Sequence, residues 1–287
     1  MSGLCKMSST TGSRDGKLPL LIVSSTVDPA SENIAENLVK HYGFSETQSR
    51  GVLADRDQNI LLVKVDKPPI YVTPSDISLD ASAIVFASKH VSSTDTPALT
   101  VHATGNLTKK AEFGGEPEEV SLVDPTGVRR ALRRLREGVV RESVNIDVTM
   151  EATHHGPTSF PVPVCFVEIG SGLSEWGNPL LGRLTADAIM ATAVAGDGVA
   201  KNAVGFGGTH YSDKFTRICL DGDFQIGHIV PRHAFESGIT DSVVGETLSR
   251  TIGHRSTALV DWKGLMGNAR KRLVASLESW SVEVERC

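Results

Sequence analysis

The stretch LPLLIVSSTVDPASENIAENLVKHYGF, from Leu18 to Phe44, limits the fold more than any other. It opens with an unbroken apolar run. A strand wet on one face alternates polar and apolar residues, whereas an unbroken run belongs to a strand covered on both faces. Asp28 then offers a helix cap, and Pro29 suits a first helical position, where no N–H is needed. Ile34, Leu38 and Tyr42 recur at helical spacing, and Gly43 supplies a stop. The chain therefore starts β-loop-α, with a strand that must be packed from both sides.

The pattern continues. Strand-like runs stand at NILLVKV (from Asn59), PIYV (from Pro69), SAIVFAS (from Ser82) and ALTVHAT (from Ala98). DPTGVRRALRRLREG (from Asp124) is a second Asp-Pro helix start. Two strands flank THHGPTS, and NPLLGRLTADAIMATAVA (from Asn178) reads as a long helix. NAVGFGGTHY and FQIGHIV read as strands, followed by helix TDSVVGETLSRTI, strand TALVDW and helix GNARKRLVASLES. Alternation of this kind predicts an α/β fold with helices packed on a mostly parallel or mixed sheet. The 287 residues are 40% hydrophobic, enough for one large core, and only 5% aromatic, so that core is aliphatic. Residues 18–287 are expected to form a single domain. Residues 1–17, rich in Ser, Thr, Gly and basic residues without an apolar core, are expected to be a disordered tail rather than a targeting signal.

Cys5, Cys165, Cys219 and Cys287 form no CxxC pair, so no zinc knuckle or thioredoxin-like motif is present. Cys165 and Cys219 lie in apolar, strand-like runs and read as small hydrophobes. A reducing compartment follows, cytoplasmic or else nuclear. No apolar run reaches the roughly 18 to 20 residues that span a bilayer, so no membrane partner is expected. The net charge of −5 argues against a generic polyanion binder, so any nucleic acid must meet a local basic patch. A monomer is expected.

Histidines gather at strand ends. One predicted strand leads to His154 and His155, a second to His210 and Asp213, and a third holds His228 and ends near His233. Glu168, before GSG, closes a fourth. Open α/β sheets bind ligands at the carboxyl ends of their strands, so separate strands can build a polyhistidine site without any local motif. In an extended chain His154 and His155 face opposite sides, unless the Gly156-Pro157 turn bends the chain; that peptide bond is expected to be trans. His90, His102 and His254 are isolated and read as core histidines. No HExxH, HxxEH, GxSxG, GxGxxG or Walker A motif occurs. Thr158 and Ser159 could pair with His155 as nucleophile and base, though capping a turn is the commoner role. Gly207 and Gly208 give room for a substrate to approach the backbone. Arg129, Arg130, Arg133, Arg134 and Arg136 form one basic helix face opposite a stripe of Val128, Ala131, Leu132 and Leu135. Such a face suits a phosphate backbone or, more simply, solvent.

EATHHGPTS, VEIGS, W-x-N-P, VGFGGTHY and GHIVPRHA, in that order, resemble the D-aminoacyl-tRNA deacylase family of archaea and plants, whose plant members are also known as ethanol-tolerance proteins. The likeness runs from about Leu18 to Trp280. It implies a single-domain, phosphorylase/hydrolase-like α/β/α fold, zinc, and hydrolysis of the ester between a D-amino acid and the 3′ end of tRNA, including aldehyde-modified D-aminoacyl adducts. On that reading His154, His155, Glu168 and Thr158 are candidate catalytic residues. His154, His210, His233 and Glu168 are candidate zinc ligands. Gly156, Pro157, Gly207, Gly208 and Thr209 would line the substrate pocket, and Arg129, Arg130, Arg133 and Arg134 would hold the aminoacylated tRNA. Two other readings compete. A zinc exopeptidase or amidohydrolase would need two carboxylates and several histidines in a closed pocket without a basic rim. A non-catalytic RNA-binding protein would use its histidines structurally.

Overall fold

Both Asp-Pro pairs begin helices. A computed structural model of the chain describes residues 17–92, 94–194, 200–254 and 256–287; the expected tail, apart from Lys17, lies outside them. β1 (Leu20–Ser25) leads to α1 (Pro29–Tyr42), where Asp28 accepts from the Ser31 N–H and Gly43 ends the helix with φ 66°. β2 (Ser45–Glu46), β3 (Val52–Ala54), β4 (Ile60–Val65), β5 (Ala83–Lys89) and β6 (Ala98–His102) follow. α2 (Pro125–Arg141), capped by Asp124, precedes β7 (Asp147–Met150) and β8 (Val164–Gly170). Next come α3 (Leu173–Trp176), α4 (Pro179–Thr192), β9 (Lys201–Phe206), α5 (Asp213–Asp221) and β10 (Phe224–Val230). The chain closes with α6 (Arg232–Glu236), α7 (Asp241–Ser249), β11 (Thr257–Val260), α8 (Gly267–Ser279) and β12 (Val284–Arg286).

The class is α/β with a mixed main sheet, in layers of helix and sheet. Eight strands run in the order β2-β3-β4-β1-β5-β8-β6-β7. β4, β1, β5 and β8 are mutually parallel, while β6 runs antiparallel to β8 and β7 runs parallel to β6. A second sheet, β10-β9-β11-β12, is wholly parallel. The two sheets meet just past β7. There the Ala152 N–H donates to His210 O, and the Thr153 N–H donates to Ile229 O.

Side-chain alternation decides what each face of the main sheet does. Val85, Leu99, Val101, Val148, Cys165, Val167 and Ile169 join a core with Ile34 and Leu38 of α1, Val128 and Leu132 of α2, and Leu184 of α4. The next residue along each strand points the other way. On that face Ile84, Phe86, Val164 and Phe166 pack with Val72, Ile77 and Phe160. The second sheet buries Val204, Phe206, Val230 and Val260 against Val243, Val244, Leu273 and Leu277 of α7 and α8.

Two expectations about local structure are corrected. PIYV is no strand: Pro69–Tyr71 is a 3-10 turn, because neither Pro68 nor Pro69 can donate to a ladder and the carbonyls of both accept from Tyr71 and Val72. Cys219 lies in α5, not a strand; Phe215 and Cys219, one helical turn apart, are both buried there. Among the described residues no helix is long and apolar enough to cross a membrane.

Candidate active site

The polar face of the β5–β8–β6–β7 block carries the site. Ser88, Thr100, Thr149 and Glu168 alternate with the core residues above and are buried. The same parity carries to His102, the last residue of β6, and just past the ends of β5 and β7 to His90 and Glu151; His90, His102 and Glu151 are 4%, 0% and 1% exposed. Because β6 and β7 oppose β8, these groups meet on a sheet face rather than along one carboxyl edge. His102 lies opposite Phe166, and Thr100 opposite Glu168. Glu168 Oε2 is 3.6 Å from His102 Nε2, 3.7 Å from His90 Nδ1 and 3.4 Å from Thr100 Oγ1, which donates to it. Glu151 Oε1 is 3.1 Å from His90 Nδ1, and Glu151 Oε2 accepts from His210 Nε2 at 2.9 Å. The far nitrogen of His90 meets the Tyr211 hydroxyl at 2.9 Å.

These contacts decide the charges. Burial opposes a charge on His90, yet Glu151 and Glu168 overcome it and push its pKa up to about 11. Burial likewise opposes a charge on His102, and Glu168 reverses it, raising the group. Enclosure would raise Glu168, but His102 and His90 hold it down at about 2. Glu151 also stays well below its ordinary value against burial, through His210 and His90. The site thus contains two buried carboxylates, ionised at neutral pH, with His90 and His102 as the cations they stabilise.

His154 and His155 both turn into this cluster. His155 has φ 42°, in the left-handed region, so the chain bends and the two rings do not face opposite sides. The His154 and His155 ring centroids are 4.3 Å apart, and those of His102 and His154 are also 4.3 Å apart. His210 lies 4.7 Å from His154. The Gly156–Pro157 bond is cis, not trans. Enclosure and the neighbouring His102 keep His155 down at about 4, and the same causes take His154 well below its usual value, so both are neutral imidazoles at pH 7.

Each of these three rings is fixed by a backbone carbonyl. The Nδ1 atoms of His102, His154 and His155 lie 3.1, 2.8 and 2.6 Å from the carbonyl oxygens of Ala103, Ala152 and Gly156. A carbonyl can only accept, so each Nδ1 carries a proton; in His154 and His155, neutral at pH 7, Nε2 is then a lone pair. Metal-bound histidines are commonly held in this way. Among the described residues His102 Nε2 and Glu151 Oε1 find no hydrogen-bond partner, and both are buried. One ligand atom from each of His102, His154 and His155 falls within 4.8 Å of the others; so does one from each of Glu151, His154 and His210, and one from each of His90, Glu151 and Glu168. Imidazole with carboxylate is a donor set that suits zinc. The residues present therefore fit such an ion.

Of the residues singled out from sequence, His154, His155, His210 and Glu168 come together. The expected ligand set of His154, His210, His233 and Glu168 does not form one group among the described residues. Glu168 groups with His90 and Glu151, and His233, in the first turn of α6, joins none of the groups. His228 is a core residue whose two ring nitrogens meet Thr153 Oγ1 and Ser121 O. His254 is exposed. The Thr158 hydroxyl donates to Glu119 Oε2 at 2.6 Å and accepts from the Glu116 N–H, so it ties down the 106–119 loop. Gly156 packs on that loop: a Cβ there would lie 2.3 Å from Gly115 N. Gly207 and Gly208 have positive φ, and a Cβ on Gly207 would lie 3.2 Å from Asp261, while Thr209 Oγ1 donates to Tyr211 O, which shapes the turn that delivers His210.

The basic helix is largely committed within the chain. Arg129 donates to Cys219 O and Gly222 O, Arg133 to Leu220 O, and Arg130 to Val194 O. Arg134 faces Glu137 and Asp187. The Arg129 and Arg133 bonds cover the open carbonyls at the end of α5, where a helix has no partners of its own.

Sequence reading missed His90, His102, Glu151 and Tyr211. The signal was the parity of each strand: polar residues at every second position run to the end of ALTVHAT and NIDVTME, and SAIVFASKH turns polar at that parity at Ser88 and His90.

Comparison with known proteins agrees with this architecture. A family model described as D-aminoacyl-tRNA deacylase matches residues 77–285. A D-aminoacyl-tRNA deacylase of Pyrococcus furiosus is 34% identical over 259 residues, covering 88% of this chain and 93% of its own. That of Methanocaldococcus jannaschii is 32% identical, covering 94% and 100%. Among solved structures, the conserved protein of unknown function AF0625 superposes with a TM-score of 0.85 at 29% identity, over 94% of this chain and 95% of that one.

Proposed function

The chain belongs to the D-aminoacyl-tRNA deacylase family, and from that premise we propose that it hydrolyses the ester joining a D-amino acid to the 3′ end of tRNA, with the histidine–glutamate cluster as the reaction centre. The observation that carries the assignment of the centre is the convergence of the rings of His102, His154 and His155, one ligand atom of each within 4.8 Å of the others, beside two buried, ionised carboxylates. His102, His154 and His155 would hold a zinc ion. When bound, zinc supplies a Lewis acid for the ester carbonyl.

The proton work falls to the Glu151–His210 pair. Glu151 accepts the Nε2–H of His210, which leaves Nδ1 as a lone pair on a ring that is about a third exposed. A buried carboxylate behind a histidine fixes both tautomer and aim. His210 Nδ1 takes a proton from water as the water oxygen bonds to the carbonyl carbon. The bond from that carbon to the ribose oxygen then breaks, and the proton passes to the leaving oxygen. Glu168 and His90 keep the cluster in register and exclude water from its inner side. Aldehyde-modified D-aminoacyl adducts fall under the same reading, since modifying the amino group leaves the ester unchanged. A role in proofreading and D-amino acid detoxification follows.

Two carboxylates and several histidines in one pocket would also suit a zinc exopeptidase; family membership favours the tRNA ester. The test is hydrolysis of D- and L-aminoacyl-tRNA and of an amide analogue, with and without a chelator. Hydrolysis of the D-ester, sensitive to chelator and lost in His210→Ala, is expected. Cleavage of the amide in preference to the ester would overturn the reading.

A further inference from the structure

The arginines of α2 divide into two sets. Arg129, Arg130, Arg133 and Arg134 are occupied within the chain, as described above. Arg136 is different. It is exposed and, among the described residues, makes one long bond, 3.4 Å to Val148 O, and pairs with no carboxylate. It stands in the wall of a cavity of about 510 Å³ together with Arg217 of α5. Arg217 is exposed and pairs with no carboxylate among the described residues. Asp147, Asp213 and Thr96 line the same space. So does Tyr211, whose hydroxyl meets His90 in the cluster. One side chain therefore separates this cavity from the reaction centre.

A cavity of this size fits a nucleotide-sized ligand, and its lining is mixed in a specific way. Two guanidiniums free of carboxylate partners match a phosphate, which they bind through paired N–H groups. Two exposed carboxylates match ribose hydroxyls, which donate. A free inorganic anion would be repelled by the carboxylates, and a simple sugar would not need the arginines. We propose that this cavity seats a nucleotide of the single-stranded 3′ end of the tRNA, with its phosphate between Arg136 and Arg217 and its ribose hydroxyls on Asp147 and Asp213. This rests on the tRNA-ester reading above, and it moves the phosphate contacts from the predicted face, Arg129 to Arg134, to the edge of α2 and the first turns of α5.

The test uses the full chain and two readouts. The first is anisotropy of a fluorescein-labelled RNA single strand ending in CCA, which carries no aminoacyl ester and so is blind to catalysis. Arg136→Glu and Arg217→Glu are each expected to weaken it about tenfold, and to lower the slope of log affinity against log salt by about 0.7 for each lost phosphate contact. Arg217→Lys should retain most of the slope. Lys271→Glu, on the exposed side of α8, changes the net charge equally and should leave both values unchanged. The second readout is deacylation, where KM should rise in the two glutamate variants while kcat stays within about twofold. Circular dichroism shows that each variant is folded. If the wild type hydrolyses D-aminoacyl-tRNA and neither variant alters KM or salt slope, the seat is overturned and the reaction stands. If RNA binds through these arginines but no ester is cleaved, the reaction falls and the seat stands. Failure of the wild type to bind the RNA, or an equal loss in Lys271→Glu, overturns the seat.

Discussion

Replacing Gly156 with alanine asks whether the turn after the two histidines is fixed by the 106–119 loop. The new Cβ would lie 2.3 Å from Gly115 N, 2.4 Å from Gly114 C and 2.9 Å from Gly114 O. All three are backbone atoms, so no rotamer change relieves the overlap. Carbon atoms rest about 3.5 Å apart or more, so the loop must retreat by about 1 Å. It is tethered against doing so. Asn106 Nδ2 donates to Gly114 O at 2.8 Å and Glu116 O at 3.1 Å, and the Gly156 N–H donates to Phe113 O at 3.1 Å. Overpacking costs about 1–3 kcal/mol, and stretching one of these bonds adds about 1 kcal/mol, so a loss of about 3 kcal/mol is expected. At about 2 °C per kcal/mol for a chain of this length, Tm should fall by about 6 °C. His155 Nδ1 donates to Gly156 O, so the ring moves with the turn. At 25 °C, where the variant is folded, hydrolysis of D-aminoacyl-tRNA should drop about tenfold or more, since a 1 Å misplacement costs on the order of a hundredfold at worst. Thermal unfolding by circular dichroism and single-turnover deacylation measure the two effects. A Tm within a degree of wild type, with the D-ester rate unaltered, would refute the reasoning.

Glu151→Gln keeps the shape of the side chain but removes the charge that His210 and His90 face; kcat should fall about a hundredfold or more while the protein stays folded, as steady-state deacylation and urea unfolding will show. Arg129→Ala removes donors to Cys219 O and Gly222 O and should cost about 1.5–3 kcal/mol, with the KM for tRNA within about twofold of wild type. His154→Ala and His155→Ala should each lower bound zinc, read by elemental analysis after dialysis, whereas His233→Ala should leave it unchanged. Stability should peak near neutral pH. His155, depressed to about 4 from 6.5, binds fewer protons folded than unfolded, so its contribution is lost as pH falls from 6.5 towards 4. Glu168, at about 2 rather than 4.5, gives up its share as pH falls from 4.5 towards 2. His90, raised to about 11, acts in the opposite sense and loses its contribution as pH rises from 6.5 towards 11. Denaturant midpoints measured between pH 3 and 10 check all three slopes; midpoints that increase steadily from pH 7 to 10 would contradict the assignment of His90.

Most elements and their class are legible in the sequence, though α5 and the 3-10 turn at Pro69–Tyr71 are not. An unbroken apolar run must be covered on both faces, and an Asp-Pro or Asn-Pro pair before a 3.6-residue apolar repeat can hardly be anything but a helix start, so β1, α1, α2 and α4 were legible locally. The same holds for the unusual composition of THHGPTS, which marked His154 and His155 without any structure. Tertiary structure decided the rest, because it depends on which strands become neighbours and in which sense they run. Nothing near Leu99 or Val148 says that β6 and β7 will oppose β8. Only that reversal carries His102 and Glu151 across to Glu168, which is why His102 read as an ordinary core histidine. His90 reaches the same carboxylates from β5, more than 60 residues before Glu151. The arginines show the converse. Their spacing made a basic face visible in sequence, but whether a guanidinium is available to a phosphate depends on what packs beside it. The end of α5 takes Arg129 and Arg133 and leaves Arg136 facing a cavity, and that choice is made by the packing of two helices that the sequence shows only one at a time.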